Sequence, residues 1–220
     1  MLISEIINTN IPQLHLQDSV AKAKQLIGDF KLTHLPVVAE QTFLGLVSEE
    51  DLLDVDDEKL TIETSQPNFI KQFVFEDLHM LHAINYCNQQ ESNIVPVLNR
   101  QQIYVGVTTA PLLLKYVGEF TGANEMGGII VLEMERVHFS VSEISRIVES
   151  NDCTILQLNT ISNPSNGIIT ITLHVNKKDI ATLVATFERY EYQIQHQWGI
   201  QHFEDRMDEN YKNLMHYLQI

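Results

Sequence analysis

Basic residues are scarce in this chain. Fourteen Lys and Arg stand against 29 Asp and Glu, a formal charge of −15, and the basic residues never cluster. Nucleic acids and anionic membranes require a cationic face that displaces counterions, so neither is expected as a partner. A small anion is still compatible, because helix N-termini and backbone amides act locally. There are two cysteines, Cys87 and Cys153, neither in a CxxC pair. They read as reduced thiols of a cytoplasmic protein. The opening MLISEIINTN has no basic start, and Ser4, Glu5 and Asn8 interrupt its apolar residues, so no signal peptide is expected. The longest apolar run, GGIIVL, is too short to cross a bilayer.

Chemical motifs are missing as well. No P-loop, GxSxG, GxGxxG or HExxH occurs, and no local Cys–His pairing suggests a nucleophile. The nine histidines are scattered: His79 and His82 lie three apart on an expected helix, and His196 and His202 flank the last expected strand near Glu204 and Asp205. None of these spacings fits a zinc site. No metal, cofactor or enzymatic activity is expected.

What is present begins with a core. The 220 residues are 44% hydrophobic, enough for one large domain or two small ones. The first half repeats itself. AKQLIGDFKLTHLPVV, from Ala23, aligns with AINYCNQQESNIVPVL, from Ala83, at an offset of 60, pairing Leu35, Pro36 and Val37 with Val95, Pro96 and Val97. FLGLVSEEDLL then aligns with YVGVTTAPLLL at an offset of 61, pairing Gly45 with Gly106 and Ser48 with Thr109. The second copy therefore carries one extra residue in the turn between its strands. Each copy reads as a short extended segment (IPQLHLQ, NFIKQFV), a helix, two strands and a closing helix. Asp18 or Ser19 caps the first helix, with Val20, Ala23, Leu26, Ile27 and Phe30 on its inner face. Met80, Ala83, Ile84 and Cys87 do the same in the second copy. Such a β-α-β-β-α unit cannot bury its apolar surface alone, and two copies packed together are expected.

The ordered copies of apolar-Pro-Val-Val, a turn, then Gly-apolar-apolar-Ser/Thr-x-x-Asp resemble the cystathionine-β-synthase (CBS) domain in tandem, a Bateman module, over about residues 1–118. Ser48 and Asp51 form a helix cap on any reading. The resemblance implies more: a cleft between the repeats where the Ser48 hydroxyl meets a phosphate, Asp51 accepts from ribose hydroxyls, an adenine lies along His34, Leu35 and Pro36, and Ile11 and Pro12 form an apolar wall. In the second copy Thr109 keeps the hydroxyl, but Leu112 replaces the acid near Pro96, and leucine cannot accept from a ribose. That second, degenerate site is expected to be empty, filled by side chains or used by a ligand without ribose. Glu49, Glu50 and Asp54 disfavour a triphosphate, so AMP or another weakly charged adenosine derivative is the expected ligand.

The last third changes character. GEFTGANEMGG reads as a linker. A buried strand (GIIVLEMERV), a capped helix with Val141, Ile144, Ile147 and Val148 inward, a strand pair around SNPSNG, a helix with Ile180, Leu183, Val184 and Phe187 inward, and a final strand follow. This βαββαβ order is the ferredoxin-like plan. After a regulatory module it resembles an ACT domain, whose ligand turn carries a glycine where Phe139 aligns here, so a dimerising domain without an amino-acid ligand is expected. Phe203, Met207, Tyr211, Leu214 and Leu218 mark an amphipathic C-terminal helix without a basic face, suited to docking on its own chain or on a partner.

The expected class is therefore α+β, with CBS repeats over 1–60 and 61–118, a linker over 119–127, an ACT-like domain over 128–200 and a helix over 201–220. The arrangement resembles the acetoin-utilisation accessory family. It implies a cytoplasmic, homodimeric regulator that senses a small-molecule nucleotide. The competing expectations are a ligand-free interaction module and an amino-acid sensor acting through the ACT-like domain.

Overall fold

The computed structural model describes residues 1–163 and 165–199, so the expected C-terminal helix lies outside the described residues. The chain divides into two compact units, Met1–Val117 and a second that begins at Gly118.

The first unit contains the repeats. A 3-10 turn, Ile3–Ile6, precedes α1 (Val20–Phe30), β1 (His34–Ala39), β2 (Thr42–Ser48) and α2 (Glu49–Leu53). After the 3-10 segment Ile62–Asn68 come β3 (Val74–Phe75), α3 (Met80–Gln90), β4 (Ile94–Leu98), β5 (Tyr104–Thr109) and α4 (Ala110–Phe120). Each copy pairs its two longer strands antiparallel. The expected opening strands are reduced: Val74–Phe75 runs parallel to β4, whereas in the first copy only Leu14 bridges Val37. Both hairpins shift register at the same place, after Val37 and after Val97, opposite Gly45 and Gly106. These glycines adopt φ of 149° and 144°, which side chains rarely tolerate. A Cβ would also stand 2.6 Å from Phe69 Cβ at Gly45 and 2.7 Å from Ile7 Cγ2 at Gly106. The extra residue of the second copy falls in the Asn99–Ile103 turn, where the Asn99 side chain accepts from the Gln101 and Ile103 amides.

Ser19, rather than Asp18, caps α1 by accepting from Lys22 N, and Lys31 in the left-handed conformation ends it. Val20, Ala23 and Ile27 are buried, but Phe30, the last residue of α1, is 43% exposed. In α3 the buried set is Met80, Ala83 and Tyr86. Tyr86, absent from the expected face, is held by its hydroxyl donating to Gln72 O. Both repeats contribute to one hydrophobic core. α4 continues to Phe120, into the stretch expected to be linker, and turns follow it.

The second unit has β6 (Gly128–Glu135), α5 (Val141–Ser150), β7 (Ile155–Asn163), β8 (Ile168–Val175), α6 (Ala181–Arg189) and β9 (Gln193–Trp198). The sheet order β7-β8-β6-β9 is antiparallel throughout, the ferredoxin-like topology expected from the element order. β8 alternates buried and half-buried residues. Its Ile169, Ile171, Leu173 and Val175 join Ile144, Ile147 and Val148 of α5 and Leu183, Val184 and Phe187 of α6 in a second core. Val141, expected inward, is 50% exposed in the first turn of α5. No helix among the described residues is long and apolar enough to cross a membrane.

Candidate functional site

β1 begins at His34 and β2 ends at Ser48, and the antiparallel register sets the two residues opposite each other. Ser48 then starts α2. Its Oγ accepts from Asp51 N at 3.0 Å and donates to Asp51 Oδ2 at 2.6 Å. Asn68 Nδ2 donates to the other carboxylate oxygen at 3.2 Å. The acid is therefore held in place from both sides. Each carboxylate oxygen can accept two hydrogen bonds, so both retain capacity.

His34 is buried, and its Nδ1 lies 2.8 Å from Thr33 Oγ1. The Thr33 hydroxyl donates to Asn93 Oδ1 at 3.0 Å, and Asn93 Nδ2 donates to Lys31 O, which fixes the orientation of the amide. With that hydroxyl proton committed, His34 Nδ1–H is the donor to Thr33, and Nε2 is left as an acceptor. Burial holds the imidazole below the usual histidine range, against the opposing pull of the Asp51 and Glu50 carboxylates.

These groups border a cleft of about 500 Å³. Its walls bring Thr33, His34, Ser48 and Asp51 together with Ile70 and with Gln89, Gln90 and Glu91 at the end of α3. Among the described residues four carboxylates line it, those of Glu49, Glu50, Asp51 and Glu91, and no Lys or Arg does. Asp54 is not among the lining residues. Other expected contacts are placed elsewhere. Leu35 and Pro36 are buried in the strand and do not line the cleft, because the close-packed core takes their side chains. Ile11 and Pro12 line a different cleft, with Gly106 of β5, because their segment runs along the second repeat. In the second copy Pro96 is buried, and Leu112 packs against the shared core, so its side chain replaces the acid with apolar contact. The Thr109 end of β5 keeps the local geometry, with Ala110 N donating to Asn93 O as Glu49 N donates to Thr33 O, both at 2.8 Å.

Asn68, Thr33 and Asn93 were not singled out by sequence reasoning. Thr33 and Asn93 share the offset of 60, a signal that the repeat alignment itself carries. Asn68 shares that offset with Asn8 but lies outside the aligned strand and helix motifs.

In the second unit Phe139 is half-buried and packs against the core ahead of Ser140, which caps α5. Beside it a cleft of about 370 Å³ is lined, among the described residues, by Glu133, Glu135, Glu143 and Glu191 together with Tyr190 and Tyr192, and by no Lys or Arg. Tyr192 donates to Glu143 at 3.1 Å, and burial with this carboxylate contact pushes its phenol up to about 12. No cluster of three or more His, Cys, Asp or Glu among the described residues is placed to hold a metal ion. His79 caps α3 instead, accepting from Leu81 N.

The fold thus defines a tandem βαββα repeat joined to a ferredoxin-like unit. The family model for the CBS domain matches residues 3–58, which bears out the resemblance for the first repeat. Among solved structures the chain is similar to a CBS domain pair/ACT domain protein from Thermotoga maritima, at 19% identity over 55% of this chain and 98% of that one, with a TM-score of 0.48. It is similar to the acetoin utilization protein AcuB from Vibrio cholerae, at 16% identity over 55% and 92%, with a TM-score of 0.46. A third is CBSX2, solved in complex with AMP, at 18% identity over 54% and 97%, with a TM-score of 0.46.

Proposed function

We propose that this chain is a cytoplasmic, non-enzymatic regulator whose repeats, 1–60 and 61–118, bind AMP or another adenosine-type ligand in the cleft at Ser48. The observation that carries the reading is the Asp51 carboxylate, fixed by Ser48 and Asn68 at the cleft with spare acceptor capacity and with the acceptor His34 among the same walls. A carboxylate of this kind accepts both hydroxyls of a ribose in charge-assisted bonds. Four carboxylates oppose each added phosphate, which favours the monophosphate or an uncharged or cationic nucleoside over ATP. Ligand held by the Ser48 cleft favours the arrangement of the repeats that closes on it, and its differential affinity is the signal a partner reads.

The region 128–200 acts in this reading as an ACT-like dimerisation domain. Phe139 packs its bulky side chain against the core just ahead of α5, where a ligand turn would need a glycine, which argues against the amino-acid sensor. Leu53 and Leu114, equivalent positions in the two repeats, are 64% and 72% exposed and suit a homodimer contact. A ligand-free interaction module is the second reading, favoured by the fact that Asp51 is already hydrogen-bonded within the chain.

Titration calorimetry with AMP, ADP, ATP, S-adenosylmethionine and amino acids tests the proposal. AMP is expected to bind wild type and to lose at least about tenfold in affinity, about 1.4 kcal/mol, with Asp51→Ala. Equal binding by both proteins removes the ribose contact. Heat from no nucleotide leaves the interaction module standing.

A further inference from the structure

In the second unit α5 and α6 pack on the residues of β6 and β8 that point into the core, Ile130, Leu132, Ile171 and Leu173 among them. Side chains alternate along a strand, and residues opposite each other in an antiparallel pair share a face. The register therefore gathers Ile129 and Val131 of β6, Thr172 of β8, Ile161 of β7, and His196 and Trp198 of β9 on the other face of the sheet. β6 is an inner strand, so its two β-branched apolar residues stand in the middle of that face. The turn before β6 reaches one end of the face, at His174, and Ile161 and Trp198 remain 62% and 57% exposed. Apolar surface of this kind on a sheet is stable when a further layer covers it.

Residues 201–220 follow two positions after β9, which ends at Trp198. In their sequence Phe203, Met207, Tyr211, Leu214 and Leu218 fall within about 80° of a helical wheel. A helix from Phe203 to Leu218 is about 22 Å long, and the eight residues of β6 span about 25 Å, so stripe and face match in length. We propose that the open face of this sheet is the docking surface for residues 201–220, which cross it as a helix with that stripe against Ile129, Val131 and Trp198. Asp205, Asp208, Glu209 and Lys212, on the opposite side of the wheel, then face water. The two-residue tether holds the segment at high local concentration over its own sheet, which favours it over a second copy or another protein as the occupant. Neither the Ser48 cleft nor a nucleotide enters this docking, which is independent of the function proposed above.

Trp198 is the only tryptophan of the chain, so the intrinsic fluorescence of the whole 220-residue protein reads this face directly. Acrylamide quenching of wild type is expected to show a shielded indole, with emission at shorter wavelength than in urea. Met207→Glu combined with Leu214→Glu places two carboxylates in the stripe. This variant is expected to shift the emission to longer wavelength and to lose the shielding, whereas Lys212→Glu on the polar side should leave both as in wild type. Tyr211→Glu is the second stripe variant, read in place of the double variant should the latter fold poorly. The proposal is overturned by an indole as accessible in wild type as in urea, or by shielding that survives in the folded stripe variant. It is equally overturned by shielding that is lost on dilution, which would assign the face to a second copy of the chain.

Discussion

Thr33 and Asn93, sixty positions apart, hydrogen-bond each other reciprocally: Thr33 N donates to Asn93 Oδ1 at 2.9 Å, and Asn93 N donates to Thr33 Oγ1 at 3.1 Å. They are equivalent residues of the two repeats, so this clasp joins like to like. The same holds where Thr42 bridges Ile103 and where Phe43 stacks on Tyr104. The two halves of the first unit therefore meet around a pseudo-twofold relation, and the His34 imidazole hangs from one side of the clasp.

Replacing Asn93 breaks the side-chain half of the clasp, while the bond that its backbone N donates to Thr33 Oγ1 remains. Asn93→Ala leaves Thr33 N and the Thr33 hydroxyl without their shared acceptor and Lys31 O without its donor. Part-buried groups stripped of partners cost about 1–3 kcal/mol in total. Urea denaturation should show that loss, and Asn93→Ser should recover part of it through its remaining hydroxyl.

Thr108 offers the opposite case. It is fully buried on β5, and its hydroxyl has no hydrogen-bond partner. The equivalent position in the first repeat is Val47, also fully buried. Thr108→Val replaces an unsatisfied hydroxyl with a methyl of the same shape, and a gain of about 1 kcal/mol is expected. A fall in the urea midpoint would mean that the hydroxyl has a role in binding or in an alternative packing.

Glycines in this unit separate by position. Gly28 lies within α1 with nothing within 4 Å of an added Cβ, so Gly28→Ala should stabilise by about 0.5–1 kcal/mol. Gly45→Ala meets Phe69 and a backbone φ of 149°, and should destabilise by more than about 2 kcal/mol. Thermal melts of the two variants should therefore move in opposite directions.

Much of the fold was legible because it is written twice. The Pro-Val pairs, the bulge glycines and the α2 and α4 starts repeat at fixed offsets, and the hairpins fold on them. The second unit was legible through period alone: β8 alternates, and α6 buries Leu183, Val184 and Phe187, with Ile180 buried at its N-cap. Where the reading failed, tertiary placement decided. Phe30 and Val141 sit on the apolar stripe of their helices but at the last position of α1 and the first of α5, where they stay exposed, which periodicity cannot see. Ser48, Asp51 and His34 share one cleft because register sets strand end against strand start. Ile11 and Pro12 went elsewhere because their segment lies along β5, a pairing between repeats with no local signature. Asn68 reaches Asp51 from 17 residues away for the same reason.

His34 links this geometry to pH. Burial lowers its pKa in the folded chain, while in the unfolded chain it titrates near the ordinary value of about 6.5. Below that value the unfolded state takes up a proton that the folded state still refuses, so protons drive unfolding. The contribution of His34 is fully present above about pH 6.5, declines as the pH falls towards the folded value, and is constant again below it. Carboxylates elsewhere add their own slope, so the informative quantity is the difference between wild type and His34→Gln in urea denaturation at about pH 7.5, 6.5 and 5.5. Stability should fall more steeply for wild type, and the two slopes should converge at the acid end. Protonation also converts Nε2 from an acceptor into a donor, so a ligand that donates to it should bind more weakly at about pH 5.5 than at pH 7.5 in wild type and equally at both in His34→Gln. Parallel stability slopes in the two proteins would mean that the imidazole takes its proton as readily in the folded chain as in the unfolded one, and the Thr33–His34 arrangement would then lose its energetic basis.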